Sequence, residues 1–144
     1  MITTARDLPG GHELPEKTVT VHKFRYASDA SGGAWPKELW HDSIHTDEYA
    51  QKFGYKGAAA EGPVVFEMAL LQTLVDFFGE SLFTSGVVDV KFTAPVYVGD
   101  TLTGKAKIRE KVADDSGTRL VLDVRVEKQD SSLAIVGTAS AVIP

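Results

Sequence analysis

Gly62-Pro63-Val64-Val65-Phe66-Glu67-Met68-Ala69-Leu70-Leu71-Gln72-Thr73-Leu74-Val75-Asp76-Phe77-Phe78-Gly79 decides how this chain folds. Proline in the first turn has its φ already set for a helix, and glycine beyond the last turn stops one, so a helix is expected over 64–78. Its polar residues Gln72, Thr73 and Asp76, with Glu80 beyond, share one side, while Val64, Phe66, Ala69, Leu70, Leu74 and Phe77 cover most of the rest. A helix so widely apolar has to be wrapped by other structure.

The wrapping comes from strands. Lys17 to Val21 alternates polar and β-branched residues, and Val87 to Phe92, Thr101 to Glu110, Arg119 to Lys128 and Leu133 to Val142 each read as strands. Turn residues separate the later ones at Ala94-Pro95, Val98-Gly99-Asp100, Asp114-Asp115-Ser116-Gly117 and Gln129-Asp130-Ser131-Ser132. One early strand, one long helix and four later strands with no helices between them do not make parallel βαβ units. The expected class is α+β, with a curved antiparallel sheet wrapped around a long central helix. Elsewhere, 22–30 has the spacing of a short helix stopped by Ser31-Gly32-Gly33, a loop carries Trp35, Trp40 and 41–45, and Thr46-Asp47-Glu48 opens a brief helix ended by Gly54. Exposed sheet edges call for protection, and pairing with a second copy of the chain is the expected remedy, giving a homodimer.

Composition narrows the function. At 144 residues the chain is expected to form one domain over 1–144. A net charge of −5 with no run of Lys or Arg offers nothing to a polyphosphate backbone, so nucleic acid is not an expected partner. The absence of cysteine removes disulfides, thiolate ligands and a Cys nucleophile together. His12, His22 and His41 lack metal-ligand spacing, and neither a metal nor another cofactor is expected. The first residues do not read as a secretory signal and no apolar run reaches the ~20 residues that span a bilayer, so the expected setting is cytoplasmic, away from membranes.

Four stretches carry a family likeness: Ile44-His45-Thr46-Asp47 with Tyr49-Ala50; Phe53-Gly54-Tyr55-Lys56-Gly57; Ala60-Glu61-Gly62; and 90–102, from Val90-Lys91-Phe92 to Gly99-Asp100-Thr101-Leu102. The chain resembles, over most of its length, the MaoC-like or R-specific enoyl-CoA hydratase branch of the hotdog superfamily. That resemblance implies a hotdog fold that hydrates a 2-enoyl thioester, or dehydrates its 3-hydroxy partner, with the acyl group carried on CoA or acyl-carrier protein. The family's loop, Gly-Asp-x-Asn-Pro-Ile/Leu-His, holds an Asp and a His around a water. His45 matches the His, Trp40 stands at the position of the Asp, Asp42 at that of the Asn, and Ser43 at that of the Pro. Gly62 matches the residue whose N–H polarises the thioester carbonyl, a role suited to the unpaired amides and dipole at a helix start.

The candidate catalytic residues are therefore His45, Asp42, Gly62 and Glu67. His45 exchanges protons near neutral pH, and Asp42, three residues earlier, is placed to orient it or to replace the missing carboxylate. On regular helical geometry Glu67 points ~140° or more away from Gln72, into the apolar face, where burial would raise its pKa as in a thioesterase that uses a helix-borne acid. Trp40, Glu61, Phe53 and Pro63 are the candidate substrate contacts. Thioester hydrolysis through Glu67 or Glu61, and acyl-thioester binding without catalysis, remain as alternative readings.

Overall fold

A computed structural model of the chain describes residues 4–22 and 47–144. Strands β1 (Lys17–Thr20), β2 (Val87–Phe92), β3 (Thr101–Asp114), β4 (Gly117–Lys128) and β5 (Leu133–Ile143) form one sheet in the order β1-β3-β4-β5-β2, every neighbouring pair antiparallel. The alternation of each strand decides which face is buried. Leu102, Ala106 and Ile108 of β3 and Leu120, Leu122, Val124 and Val126 of β4 point inward. Lys105 on the outer face instead meets Glu127 at 2.9 Å.

Helix α1 (Asp47–Lys52) lies within the short helical stretch expected before Gly54. The central helix, α2, runs without a break through Gly62–Phe66, Glu67–Leu71 and Gln72–Phe78, and it lies against the inner face of the sheet with Leu70 and Leu74 fully buried. Gly79, at φ 56°, breaks it and lets the chain restart as a short helix α3 (Glu80–Ser85) that sequence reasoning does not find. The expected strands are met within a few residues. β3 continues four residues past Glu110 because a bulge between Ile108 and Glu110 breaks the alternation on which the sequence reading rests.

The middle of α2 departs from regular geometry. Glu67–Leu71 is a π turn, whose i→i+5 bonding places one extra residue in the turn. That extra residue carries Glu67 round to the solvent side occupied by Gln72 and Asp76, so Glu67 is exposed and the burial expected for it does not occur. Thr73 departs in the opposite sense: it is buried, because the N-terminal arm around Leu14 and Pro15 covers that side of the helix. The widened turn also drives the Ala69 carbonyl against β3. A Cβ on Gly104 would lie 1.8 Å from that oxygen, so only glycine fits there.

The turn between β2 and β3 is fastened by a buried ion pair. Lys128 Nζ lies 2.9 Å from Asp100 Oδ2, donates to the Pro95 carbonyl at 3.0 Å, and sits 5.2 Å from the centre of the Tyr97 ring. Burial alone would raise the Asp100 pKa, but N–H donation from Tyr97, the Gln129 amide and Lys128 outweigh it and hold the group below its ordinary 3.8. A carboxyl depressed in the folded state stabilises fully above its unfolded pKa, and that contribution disappears as pH falls through the folded value. Asp100→Asn is thus expected to cost about 2 to 3 kcal/mol at pH 7. In thermal melts the gap between variant and wild type narrows once pH drops below 3.8.

Candidate active site

The segment from Tyr55 to Ala60 joins α1 to α2 and is pinned beside the β2–β3 turn. Ala60 N donates to Val96 O at 2.7 Å, and Ala58 N donates to Asp47 Oδ1 at 2.8 Å. Between this segment, the first turn of α2 and 92–96 lies a cleft of about 330 Å³. Gly62, Pro63 and Val65 line it from the helix, Tyr55, Ala59 and Ala60 from the approach, and Phe92 and Thr93 from the end of β2. The size suits a small ligand, and the surroundings are mostly apolar.

The helix end brings backbone N–H groups to the cleft, whose lining also includes the polar side chains Tyr55 and Thr93. The first helical bond of α2 runs from Val65 N to Glu61 O, and Pro63 carries no N–H, so the amides at the head of the helix are those of Gly62 and Val64. These donors at the positive end of the helix dipole favour a developing oxyanion. Position 62 is crowded from the β2 side: a Cβ there would stand 2.7 Å from the Phe92 ring. Gly62→Ala is expected to cost about 1 kcal/mol, because the Phe92 ring it pushes aside is 53% exposed and can swing into solvent. Phe92→Ala in the same chain should recover most of the loss, a coupling that a double-mutant cycle of denaturant midpoints reads directly.

Of the residues singled out in the sequence, the cleft gathers Gly62 and Pro63. Glu61 is half-buried just before the helix, and Phe53 is 62% exposed, its ring 4.9 Å from that of Tyr49 on α1; neither lines the cleft. Glu67 is exposed and also lies outside its lining. His45, Asp42 and Trp40, with Trp35 and the helix expected over most of 22–30, lie outside the described residues. Sequence reasoning misses Ala59, Thr93 and the packing of Phe92 on Gly62. Small or singly polar residues of this kind carry no chemical signature until the fold brings them to one place. No cluster of three or more metal-binding side chains occurs among the described residues, and no helix there is long and apolar enough to cross a membrane.

No family model matches the sequence, and no curated protein matches it significantly. Solved structures do match the fold. A monoamine oxidase regulatory protein from Archaeoglobus fulgidus aligns with a TM-score of 0.75 at 22% identity, over 98% of this chain and 94% of that one. A MaoC-like dehydratase from Rhodospirillum rubrum aligns at 0.73 and 18% identity, over 98% and 96%. The R-hydratase PhaJ1 from Pseudomonas aeruginosa aligns at 0.70 and 20% identity, over 98% and 85%. At these identities the likeness is one of architecture: the chain has the hotdog fold, an antiparallel sheet around a central helix, similar to that of MaoC-like dehydratases and R-hydratases.

Proposed function

We propose that the chain catalyses the reversible hydration of a 2-enoyl thioester, carried on CoA or acyl-carrier protein, in the cleft at the head of α2. The observation that carries this reading is the meeting of an apolar cleft with the amide end of a long buried helix at Gly62. With the thioester carbonyl at that end, the electron pair displaced when water adds to the β-carbon comes to rest as an enolate oxygen beside the Gly62 N–H. His45 takes the proton from the attacking water as the new C–O bond forms, and a proton is returned to the α-carbon as the enolate collapses. Asp42 orients the imidazole or shares the proton. The similarity of the fold to R-hydratases supports the assignment at the level of architecture.

Hydrolysis is a weaker fit, because the helix-borne carboxylate that would activate water, Glu67, is exposed and absent from the cleft lining. Incubating the purified protein with crotonyl-CoA, while following loss of the conjugated double bond and release of free thiol in parallel, separates the readings. Double-bond loss without thiol release is the expected result. Thiol release would assign hydrolysis, and stabilisation by acyl-CoA with neither reaction would assign binding alone.

A further inference from the structure

Lys128 has an unusually buried side chain for a lysine, 11% exposed, and the proposed reaction gives it no part. Its backbone is held at the end of β4: the N–H donates to Ser132 O at 2.8 Å, and the carbonyl accepts from Ser131 N at 2.9 Å. The β3–β4 ladder, which pairs residues from Leu102 and Lys128 to Asp114 and Gly117, does not depend on the ammonium. That group instead reaches across to the residues joining β2 to β3.

What it holds there is one wall of the cleft. Ala94, Pro95 and Val96 line the cleft but lie outside the strands. On one side of them Thr93 is tied to β5, its N–H to Ala134 O at 2.9 Å and its hydroxyl to Leu133 O at 2.6 Å. On the other, Tyr97 N donates to Asp100 Oδ2 at 2.8 Å. Between these ties, the one bond that reaches the wall from the sheet, among the described residues, is Lys128 Nζ to the Pro95 carbonyl at 3.0 Å. Asp100 Oδ2 takes Lys128 Nζ as well as Tyr97 N–H, so a single ammonium fixes Pro95 relative to Tyr97.

The wall in turn carries the segment that leads into α2. Val96 O accepts from Ala60 N at 2.7 Å, two residues before Gly62, and the Tyr97 hydroxyl accepts from Lys56 N at 3.4 Å. From this line of contacts we propose that Lys128 is a positioning residue for the cleft: its ammonium fixes the 94–96 wall and, through the bond between Val96 and Ala60, the placement of the Gly62 N–H. Lys128 does not itself line the cleft, so it acts through Pro95 and Val96. A misplacement of about 1 Å can cost on the order of 10²-fold in rate, which gives a remote anchor of this kind a large effect. The effect on turnover rests on the hydration proposed above, whereas the effect on the wall is independent of it.

Lys128→Met keeps the aliphatic stem and removes the donor. Adding Asp100→Asn to the same chain removes the carboxylate that would otherwise be buried without its cation, so that a folded variant is in hand. Amide hydrogen exchange at Ala60 is then compared with that at Lys105 and Lys107, which pair with Arg125 and Asp123 in the middle of the β3–β4 ladder. In both variants Ala60 should exchange about tenfold faster or more, with Lys105 and Lys107 within about twofold of wild type. Unchanged exchange at Ala60, or an equal rise at all three amides, would overturn the proposal and leave Lys128 a role in stability alone. With crotonyl-CoA, kcat should fall about tenfold or more while KM stays within about threefold. A rise in KM with kcat held would equally overturn it. A wild type that does not hydrate crotonyl-CoA refutes the reaction, and exchange at Ala60 then decides the role of Lys128 by itself.

Discussion

Gly104→Val is expected to prevent stable folding, or to lower stability by more than about 4 kcal/mol. The argument rests on a backbone contact. The Ala69 carbonyl, thrust out by the π turn, would lie 1.8 Å from any Cβ at position 104, and neither partner has room to retreat. Gly104 is held on both sides within the sheet, by pairing with Val126 of β4 and Lys17 of β1. Ala69 is fully buried in the core. Relief would require moving the whole helix off the sheet and opening the contacts of Leu70 and Leu74, which overpacking alone rarely demands. Gly104→Ala tests the same contact with less bulk and should still lower the melting temperature by roughly 10 °C. Near-wild-type melting of the alanine variant would mean that helix and strand do not approach this closely.

The second large effect is on turnover. His45→Ala should reduce hydration of crotonyl-CoA by about 10²- to 10⁴-fold, the usual worth of a positioned proton-transfer group. On the proposed hydration, His45 is the proton acceptor, since in the resemblance drawn from the sequence it matches the histidine of the loop pattern while Trp40 stands where that pattern has its Asp. The melting temperature serves as the control: loss of turnover with unchanged melting assigns a chemical role. Asp42→Asn adds resolution. If Asp42 orients the imidazole or supplies the missing charge, its loss should lower kcat more than it raises KM. Unchanged turnover in His45→Ala would remove the hydration assignment.

Much of the fold is legible in the sequence because its signals are local and repeated. The Pro63 start and Gly79 stop bracket α2 to within two residues. The alternation of Val87 to Phe92 gives β2 its full extent, and the turn residues place the β3–β4 and β4–β5 hairpins. What is illegible arises from single-residue irregularities. The bulge after Ile108 hides the last part of β3, and the π turn moves Glu67 to the solvent side. For the site, Gly62 is legible as the head of a helix. Ala59, Thr93 and Phe92 come to the cleft only through tertiary pairing, such as the bridge between Ala59 and Tyr97.

The wide turn in α2 has an evolutionary consequence. A helix with one supernumerary residue is equivalent to two ordinary helices joined by an insertion. The first half, from Gly62, lines the cleft, and the second half, around Leu74 and Phe78, packs into the core. Deleting one residue between 67 and 71 would restore uniform winding with both halves facing as they do, whereas straightening the turn with every residue kept would rotate one half by about 100° against its surroundings. Homologues with an uninterrupted helix should therefore align with this chain as two blocks offset by a single gap. A gapless comparison would misassign every position on one side of it, Glu67 or Thr73 among them.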